Sequence, residues 1–329
     1  MIGTNQLLPA YDELRLCFAH AAYDIKSIFD TEYSDVPSSF QVSTYDELKA
    51  RLPEVDVLVV SGLWKNELLQ YAPKLKYLQS VSSGTNQYDL AAFRERGILL
   101  ASGQGVNMNA VSDQAIGLML SLTRRLALAR DNQAKRFWRP EQRNPDERET
   151  DVAGKTLLLV GLGRIGDRIA RIARAMDMHV IGVRRDVAAG AGAANEVHSF
   201  RDMKSLIPRA DLIMLSCPLT DETRNLMDRE AIGAMRSTAY FINVARGGCV
   251  DEIALAEALQ AGRIAGAAVD VTEVEPLPES SPLWSLPNVI VTPHSAGESR
   301  NYERNVLSIL TRNLSMLLDN NASLINRVA

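Results

Sequence analysis

The feature that most narrows the possible folds is the run Gly161-Leu162-Gly163-Arg164-Ile165-Gly166. It directly follows an apolar run at 156–160 and directly precedes a stretch with helical spacing at 165–176. A G-x-G-x-x-G between a strand and a helix has a physical reason at each glycine. The first permits a tight turn, the second lets a pyrophosphate approach the backbone, and the third lets the helix pack closely on the strand. The helix N-terminus adds amide donors and a dipole that favours an anion. The loop therefore predicts a dinucleotide-binding α/β domain, with Gly161, Leu162, Gly163, Arg164, Ile165 and Gly166 around the diphosphate.

The end of the next strand selects the dinucleotide. An Asp or Glu about 20 residues beyond the loop would bind the ribose 2′-hydroxyl of NAD. Here the strand at 179–183 ends in Arg184-Arg185. Two guanidinium groups suit the 2′-phosphate of NADP, and no carboxylate stands there to repel it. NADP is the expected cofactor. Asp186, which could reach a ribose, keeps NAD open.

Strand and helix signals alternate along the rest of the chain without an internal repeat. Strands are expected at 55–60, 75–81, 212–216, 239–244, 266–269 and 289–292, and helices at 66–71, 252–261 and 299–318. This alternation predicts doubly wound parallel sheets. The cluster Ser82-Ser83-Gly84-Thr85-Asn86 follows a strand, where open α/β sheets place ligand loops. The stretch 111–130 reads as a helix apolar on much of its circumference, so it calls for a partner. After it, 136–151 reads as a polar arm around Phe137-Trp138, and a connection between subdomains is expected near 103–105.

Composition removes several function classes. A chain of 329 residues has room for two domains at about 150 residues each. Lys and Arg number 36 against 40 Asp and Glu, for a net charge of -4, and the charges are dispersed. That pattern lacks a nucleic-acid footprint. The three cysteines, Cys17, Cys217 and Cys249, are widely spaced and odd in number, which suits reduced thiols rather than a metal site or a disulfide framework. No apolar run approaches the roughly 18 residues of a membrane span, and 1–16 lacks a leader pattern. The expectation is a cytoplasmic protein with no metal, nucleic-acid or membrane partner.

Three late segments each place a polar group at the end of an expected strand: Asn243-Val244-Ala245-Arg246-Gly247-Gly248, Glu275-Pro276 after Val269-Asp270-Val271, and Thr292-Pro293-His294. Singly, Arg246 could be a surface cation, Glu275 a turn carboxylate and His294 a helix cap. Together they suit one chemistry. Arginine grips a carboxylate bidentately, histidine exchanges protons near neutral pH, and a glutamate beside it holds the imidazole's tautomer.

In this order, and with Gly154-Lys155-Thr156 and Cys217-Pro218-Leu219-Thr220 plus Thr223, these segments resemble the D-isomer-specific 2-hydroxyacid dehydrogenase family over nearly the whole chain. The resemblance implies a catalytic group of Arg246, Glu275 and His294. It also implies cofactor contacts from Cys217, Pro218, Thr223, Val244, Ala245, Asp270 and Ala296, besides the glycine loop, Arg184 and Arg185. The implied fold is α/β: a Rossmann cofactor domain at 105–298, inserted into a flavodoxin-like substrate domain made of 1–104 and 299–329. A homodimer through 105–150, with the 111–130 helix in the interface, is implied as well.

Members related to glyoxylate and hydroxypyruvate reductases imply more detail. Backbone amides of Ser83, Gly84 and Thr85 would hold the carboxylate of a 2-keto or 2-hydroxy acid, Leu63 and Trp64 would wall the pocket, and Trp138 would approach the other subunit's pocket. Asn86 and Asp113 depart from the pattern, since many members carry Asp and Glu there. The alternatives are an NAD-dependent dehydrogenase of a bulkier 2-hydroxy acid and a dinucleotide-sensing corepressor. Corepressors of this fold carry terminal extensions that this chain does not show. A formate dehydrogenase would have Gln at Glu275, and a phosphite dehydrogenase shares the trio but suits Arg184-Arg185 less well.

Overall fold

Runs such as Val57–Val60, Leu212–Leu215 and the last four residues of Thr156–Val160 are apolar at every position and wholly buried. A strand without alternation must be covered on both faces, which is the condition of a parallel sheet flanked by helices. The computed structural model, which describes residues 7–33, 37–60, 62–85 and 87–329, has two such sheets. The chain divides into two compact units, Met1–Asn107 with Ser299–Ala329 and Met108–Glu298.

The first unit begins β1 (Arg15–Ala19), α1 (Ile25–Glu32), β2 (Ser38–Val42), α2 (Tyr45–Arg51), β3 (Val57–Val60), β4 (Tyr77–Ser80), α3 (Leu90–Glu95) and β5 (Leu99–Ala101). Its five strands are parallel in the order β2-β1-β3-β4-β5, the flavodoxin-like winding. Helix α2 starts at a reciprocal cap, the Thr44 hydroxyl taking the Glu47 amide while the Glu47 carboxylate takes the Thr44 amide.

The second unit holds α4 (Met108–Thr123), α5 (Leu126–Ala134), β6 (Thr156–Val160), α6 (Arg164–Ala175), β7 (His179–Val183), β8 (Glu196–His198), α7 (Met203–Leu206), β9 (Leu212–Leu215), α8 (Arg229–Gly233), β10 (Tyr240–Asn243), α9 (Glu252–Gln260), β11 (Gly266–Val269) and β12 (Val289–Val291). The sheet order is β12-β11-β10-β9-β6-β7-β8, parallel throughout. Winding reverses between β6 and β9, the switch point at which such sheets bind ligands. Among the described residues no helix is long and apolar enough to cross a membrane.

The chain then returns to the first unit as α10 (Tyr302–Leu318). Its stripe of Val306, Leu307, Leu310, Leu314 and Leu317 packs with Leu16, Phe18, Phe29, Val57 and Tyr77 of the first unit's core. Asn313, completely buried on the same helix, ties the return in place. Its Nδ2 donates to the Tyr77 hydroxyl at 2.9 Å and the Ile325 carbonyl at 3.2 Å, while Oδ1 accepts the Ile325 amide at 2.8 Å. The last residues complete the clamp, Leu100 N–H donating to the Ala329 carbonyl.

Several local expectations change. The stretch 66–71 is 3-10 rather than α-helical, being six residues long and followed by Pro73. The helix expected at 111–130 starts earlier and breaks: Arg125 takes φ 52, in the left-handed region, between α4 and α5. Helix α5 buries none of its residues, so the apolar circumference belongs to α4. Strands β1, β2, β5 and β8 were not anticipated. β5 and β8 have three residues each, and the edge strands β2 and β8 have mixed burial, too short or too polar for a periodic signal.

Replacing Asn313 leaves the Ile325 amide and carbonyl without their partner inside the core. Asn313→Ala is expected to lower unfolding free energy by about 3 kcal/mol, read from denaturant melts. A loss below about 1 kcal/mol would show that the network does not anchor the return.

Candidate active site

The glycine turn is compressed from two sides. Gly161 has φ 107, and a Cβ there would stand 2.7 Å from the Cys217 nitrogen. A Cβ on Gly166 would stand 1.9 Å from the Gly161 carbonyl oxygen, so neither position admits a side chain. The Ser216 hydroxyl donates to that same carbonyl at 2.8 Å. Gly163 is the reverse case: a Cβ would meet nothing within 4 Å, and no side chain caps α6 there. An open approach to uncapped first-turn amides fits a nucleotide diphosphate. Leu162 is buried and packs over Gly182, while Arg164 is exposed and Ile165 half-buried.

Beyond β7, Arg184 is half-buried with Nη1 donating to the Gly190 carbonyl at 3.1 Å. Arg185 is exposed and paired with Glu222 at 2.9 Å. Asp186 caps the following turn, accepting the Ala188 amide at 3.0 Å. Across the switch point, Cys217 is buried, and the Thr223 hydroxyl closes its loop by donating to the Pro218 carbonyl at 2.6 Å.

Arg246 stands on a turn built by Asn243, a residue the sequence reading did not single out as part of the site. Asn243 is 1% exposed; its Oδ1 accepts the Ala245 amide at 3.0 Å and its Nδ2 donates to the Arg246 carbonyl at 3.1 Å. An Asn ending a strand before a turn is the available signal for such a bracket. Val244 and Ala245 are buried, whereas Arg246 is exposed, with Nη1 donating to the Ala245 carbonyl. A Cβ on Gly247 would stand 1.9 Å from the Thr272 carbonyl oxygen, so this turn lies directly against the loop that carries Glu275.

That loop and the one after β12 meet in a side-chain pair. His294 Nδ1 lies 2.7 Å from a Glu275 oxygen, and the other Glu275 oxygen accepts the Thr272 amide at 3.2 Å. His294 has φ 53, a conformation held by its amide donating to the Asp270 carbonyl at 2.8 Å. The Asp270 carboxylate, 2% exposed, organises the rest of the turn. It accepts the Thr292 hydroxyl at 2.5 Å, the Ser295 amide at 3.0 Å and the Ala296 amide at 3.0 Å. A carboxylate bound to Nδ1 sets the ring orientation and leaves Nε2 for a reacting group.

In the first unit, Ser83 and Gly84 are exposed and Thr85 half-buried after β4. Among the described residues their three amides meet no acceptor. The loop is anchored at its base by the Gly103 amide donating to the Ser82 carbonyl at 2.8 Å. Asn86 lies outside the described residues. Leu63 is half-buried, but Trp64 is not an open wall. It is 4% exposed, with its ring against Phe93 and Tyr88 and its Nε1 donating to Asn66, because an indole so placed is part of the core. Trp138 is 94% exposed, and Phe137, Leu126 and Leu128 are exposed with it. Asp113 pairs with Arg168, joining α4 to α6.

A family model described as "D-isomer specific 2-hydroxyacid dehydrogenase, NAD binding domain" matches residues 116–296. The D-3-phosphoglycerate dehydrogenase of Methanocaldococcus jannaschii is 34% identical over 84% of this chain and 52% of that protein, so the match spans about half of that relative. The glyoxylate reductase of Thermofilum pendens is 35% identical over 77% of this chain and 74% of its own length. Among solved structures, an NADPH-dependent glyoxylate/hydroxypyruvate reductase from Sinorhizobium meliloti, in complex with NADP and malonate, is 27% identical with a TM-score of 0.78, covering 96% of this chain and 97% of that one. With its glycine turn, sheet winding and carboxyl-edge residues in that setting, the chain belongs to the D-isomer-specific 2-hydroxyacid dehydrogenase family.

Proposed function

We propose that the protein is a D-specific 2-keto acid reductase that uses NADPH on small acids of the glyoxylate or hydroxypyruvate kind. The observation that carries the reaction type is the His294–Glu275 pair at 2.7 Å, which leaves one imidazole nitrogen for proton exchange. Arg184 and Arg185 at the end of β7, with no carboxylate at the strand's end, support NADP. The relatives named as glyoxylate reductase and as an NADPH-dependent glyoxylate/hydroxypyruvate reductase support the substrate class.

In the reducing direction, Arg246 binds the carboxylate of the acid and polarises the adjacent ketone. His294 donates a proton from Nε2 to the ketone oxygen, while Glu275 holds Nδ1 and the imidazolium charge. The nicotinamide, when bound, supplies the hydride that C2 receives. The glycine loop from Gly161 to Gly166 holds the diphosphate. Cys217, Pro218, Thr223, Val244, Ala245, Asp270 and Ala296 line the rest of the nucleotide's path. The first unit acts as the substrate unit, with the amides of Ser83, Gly84 and Thr85 on the carboxylate and Leu63 on the side chain.

The exposed apolar residues of α5 and the arm support a homodimer through 105–150, with Trp138 reaching the partner's pocket. A cytoplasmic location is part of the same reading. One observation favours a second reading, NAD with a bulkier 2-hydroxy acid: Arg185 is already paired with Glu222.

The direct test follows NADPH and NADH oxidation against glyoxylate, hydroxypyruvate, phenylpyruvate and, in reverse, D-3-phosphoglycerate. NADPH with the small acids is the expected best pair; NADH with a bulkier acid would replace the proposal by the second reading. Arg184→Ala with Arg185→Ala should lower kcat/KM for NADPH by about 10- to 100-fold and leave NADH nearly unchanged. Equal losses for both nucleotides would remove the arginines from 2′-phosphate recognition. His294→Ala should cost about 100- to 10,000-fold in kcat with nucleotide affinity intact, and unchanged turnover would sink the assignment.

A further inference from the structure

Arg184 and Arg185 follow β7 side by side, yet the fold commits them differently. Arg184 is half-buried and tied to its own loop, with Nη1 donating to the Gly190 carbonyl at 3.1 Å and its amide donating to the His198 carbonyl at 3.0 Å. Arg185 is exposed. Among the described residues its side chain has one partner, the Glu222 carboxylate, which accepts from Nε at 2.9 Å. Glu222 lies 37 residues farther along the chain, on the loop after β9. The two Nη groups of Arg185, the flat fork that suits a phosphate, meet no acceptor among the described residues.

The turn around Glu222 is fixed by the residue after it. Thr223 is 1% exposed; its hydroxyl donates to the Pro218 carbonyl at 2.6 Å and accepts the Thr220 amide at 2.8 Å, and the Arg224 amide closes the turn on the Thr220 carbonyl at 2.8 Å. A backbone held in this way presents the Glu222 side chain to the end of β7. The neighbouring carboxylates are placed otherwise. Asp186 accepts the Ala188 amide at 3.0 Å, and Asp221, exposed beside Glu222, pairs with no cation among the described residues.

We propose, resting on the NADP reading above, that Glu222 is a selectivity residue: its carboxylate competes with the 2′-phosphate of NADP for Arg185 and so holds down the preference for NADP over NAD. A phosphomonoester carries a charge of about −1.5 to −2 at pH 7. To reach Arg185 it must displace the carboxylate or share the cation with it, and sharing leaves two anions on one guanidinium. The 2′-hydroxyl of NAD is neutral and meets no such opposition. Both side chains of the ion pair are exposed, 67% for Arg185 and 55% for Glu222, so water and salt screen it. Glu222 is therefore a tuning group of a few fold, which leaves both nucleotides usable, rather than a barrier to one of them.

The test titrates NADPH and NADH into the full chain by fluorescence, at low salt and without keto acid, since the two nucleotides differ only in the 2′-phosphate. Glu222→Gln should lower the Kd for NADPH about three- to tenfold and leave that for NADH within about twofold. Glu222→Ala should move NADPH in the same direction. Asp221→Asn removes the adjacent charge without touching the ion pair, and should change either Kd by less than about twofold. Arg185→Ala should weaken NADPH about tenfold. If Arg185→Ala weakens NADPH but neither Glu222 variant tightens it, the competition is overturned and the NADP reading stands. Equal tightening of both nucleotides, or an equal gain from Asp221→Asn, would reduce the effect to general surface charge and overturn it too. Unchanged NADPH binding in Arg185→Ala would remove that guanidinium from 2′-phosphate recognition, and the role of Glu222 would fall with it.

Discussion

Burial of both faces of the seven-stranded parallel sheet is the constraint on which the rest of the second unit depends. Strands β6, β9, β10 and β11 are buried at nearly every position, so their side chains are packing groups, apart from Asn243 at the carboxyl end of β10. Polar chemistry is displaced to the loops beyond the carboxyl ends, where the backbone emerges from the sheet. The glycine turn after β6, the Cys217 loop after β9, the Arg246 turn after β10, the Glu275 loop after β11 and the His294 turn after β12 all obey that rule.

Loops placed at a sheet edge still need internal fixation, and buried polar groups supply it. Asp270 accepts three donors from the His294 turn, and Asn243 brackets the Arg246 turn from both sides. A buried carboxylate or amide is tolerated when its partners are satisfied, and then it restricts the backbone to one arrangement. Close packing does the same at Gly161, Gly166 and Gly247, where a methyl group has no space. These contacts place Glu275 on His294 without either residue being deeply buried, their side chains being 39% and 47% exposed.

The legible parts of the sequence were those whose physics is local. An apolar run needs cover, so β3, β6, β7, β9, β10, β11 and β12 could be anticipated within a few residues. The G-x-G-x-x-G declared its own turn because each glycine answers a steric demand nearby. Edge strands such as β8 were not legible, since half of their surface faces solvent and their residues read as loop. The break at Arg125 was not legible either: a left-handed arginine carries no compositional mark. Trp64 stood as a candidate pocket residue through the family resemblance, while its burial against Phe93 depends on a helix that begins 26 residues later in the chain.

By itself the sequence determined the class of architecture and the chemical types at the strand ends. Apolar runs and glycine spacing act over a handful of residues, and the motifs carry the family resemblance. Only the tertiary structure decided which of those groups touch. Glu275 and His294 are 19 residues apart and Asp270 and Ala296 26, and nothing in linear spacing declares a contact. Parallel strands joined by crossovers bring distant loops to one edge. Hydrogen bonds and packing at that edge then select the pairs.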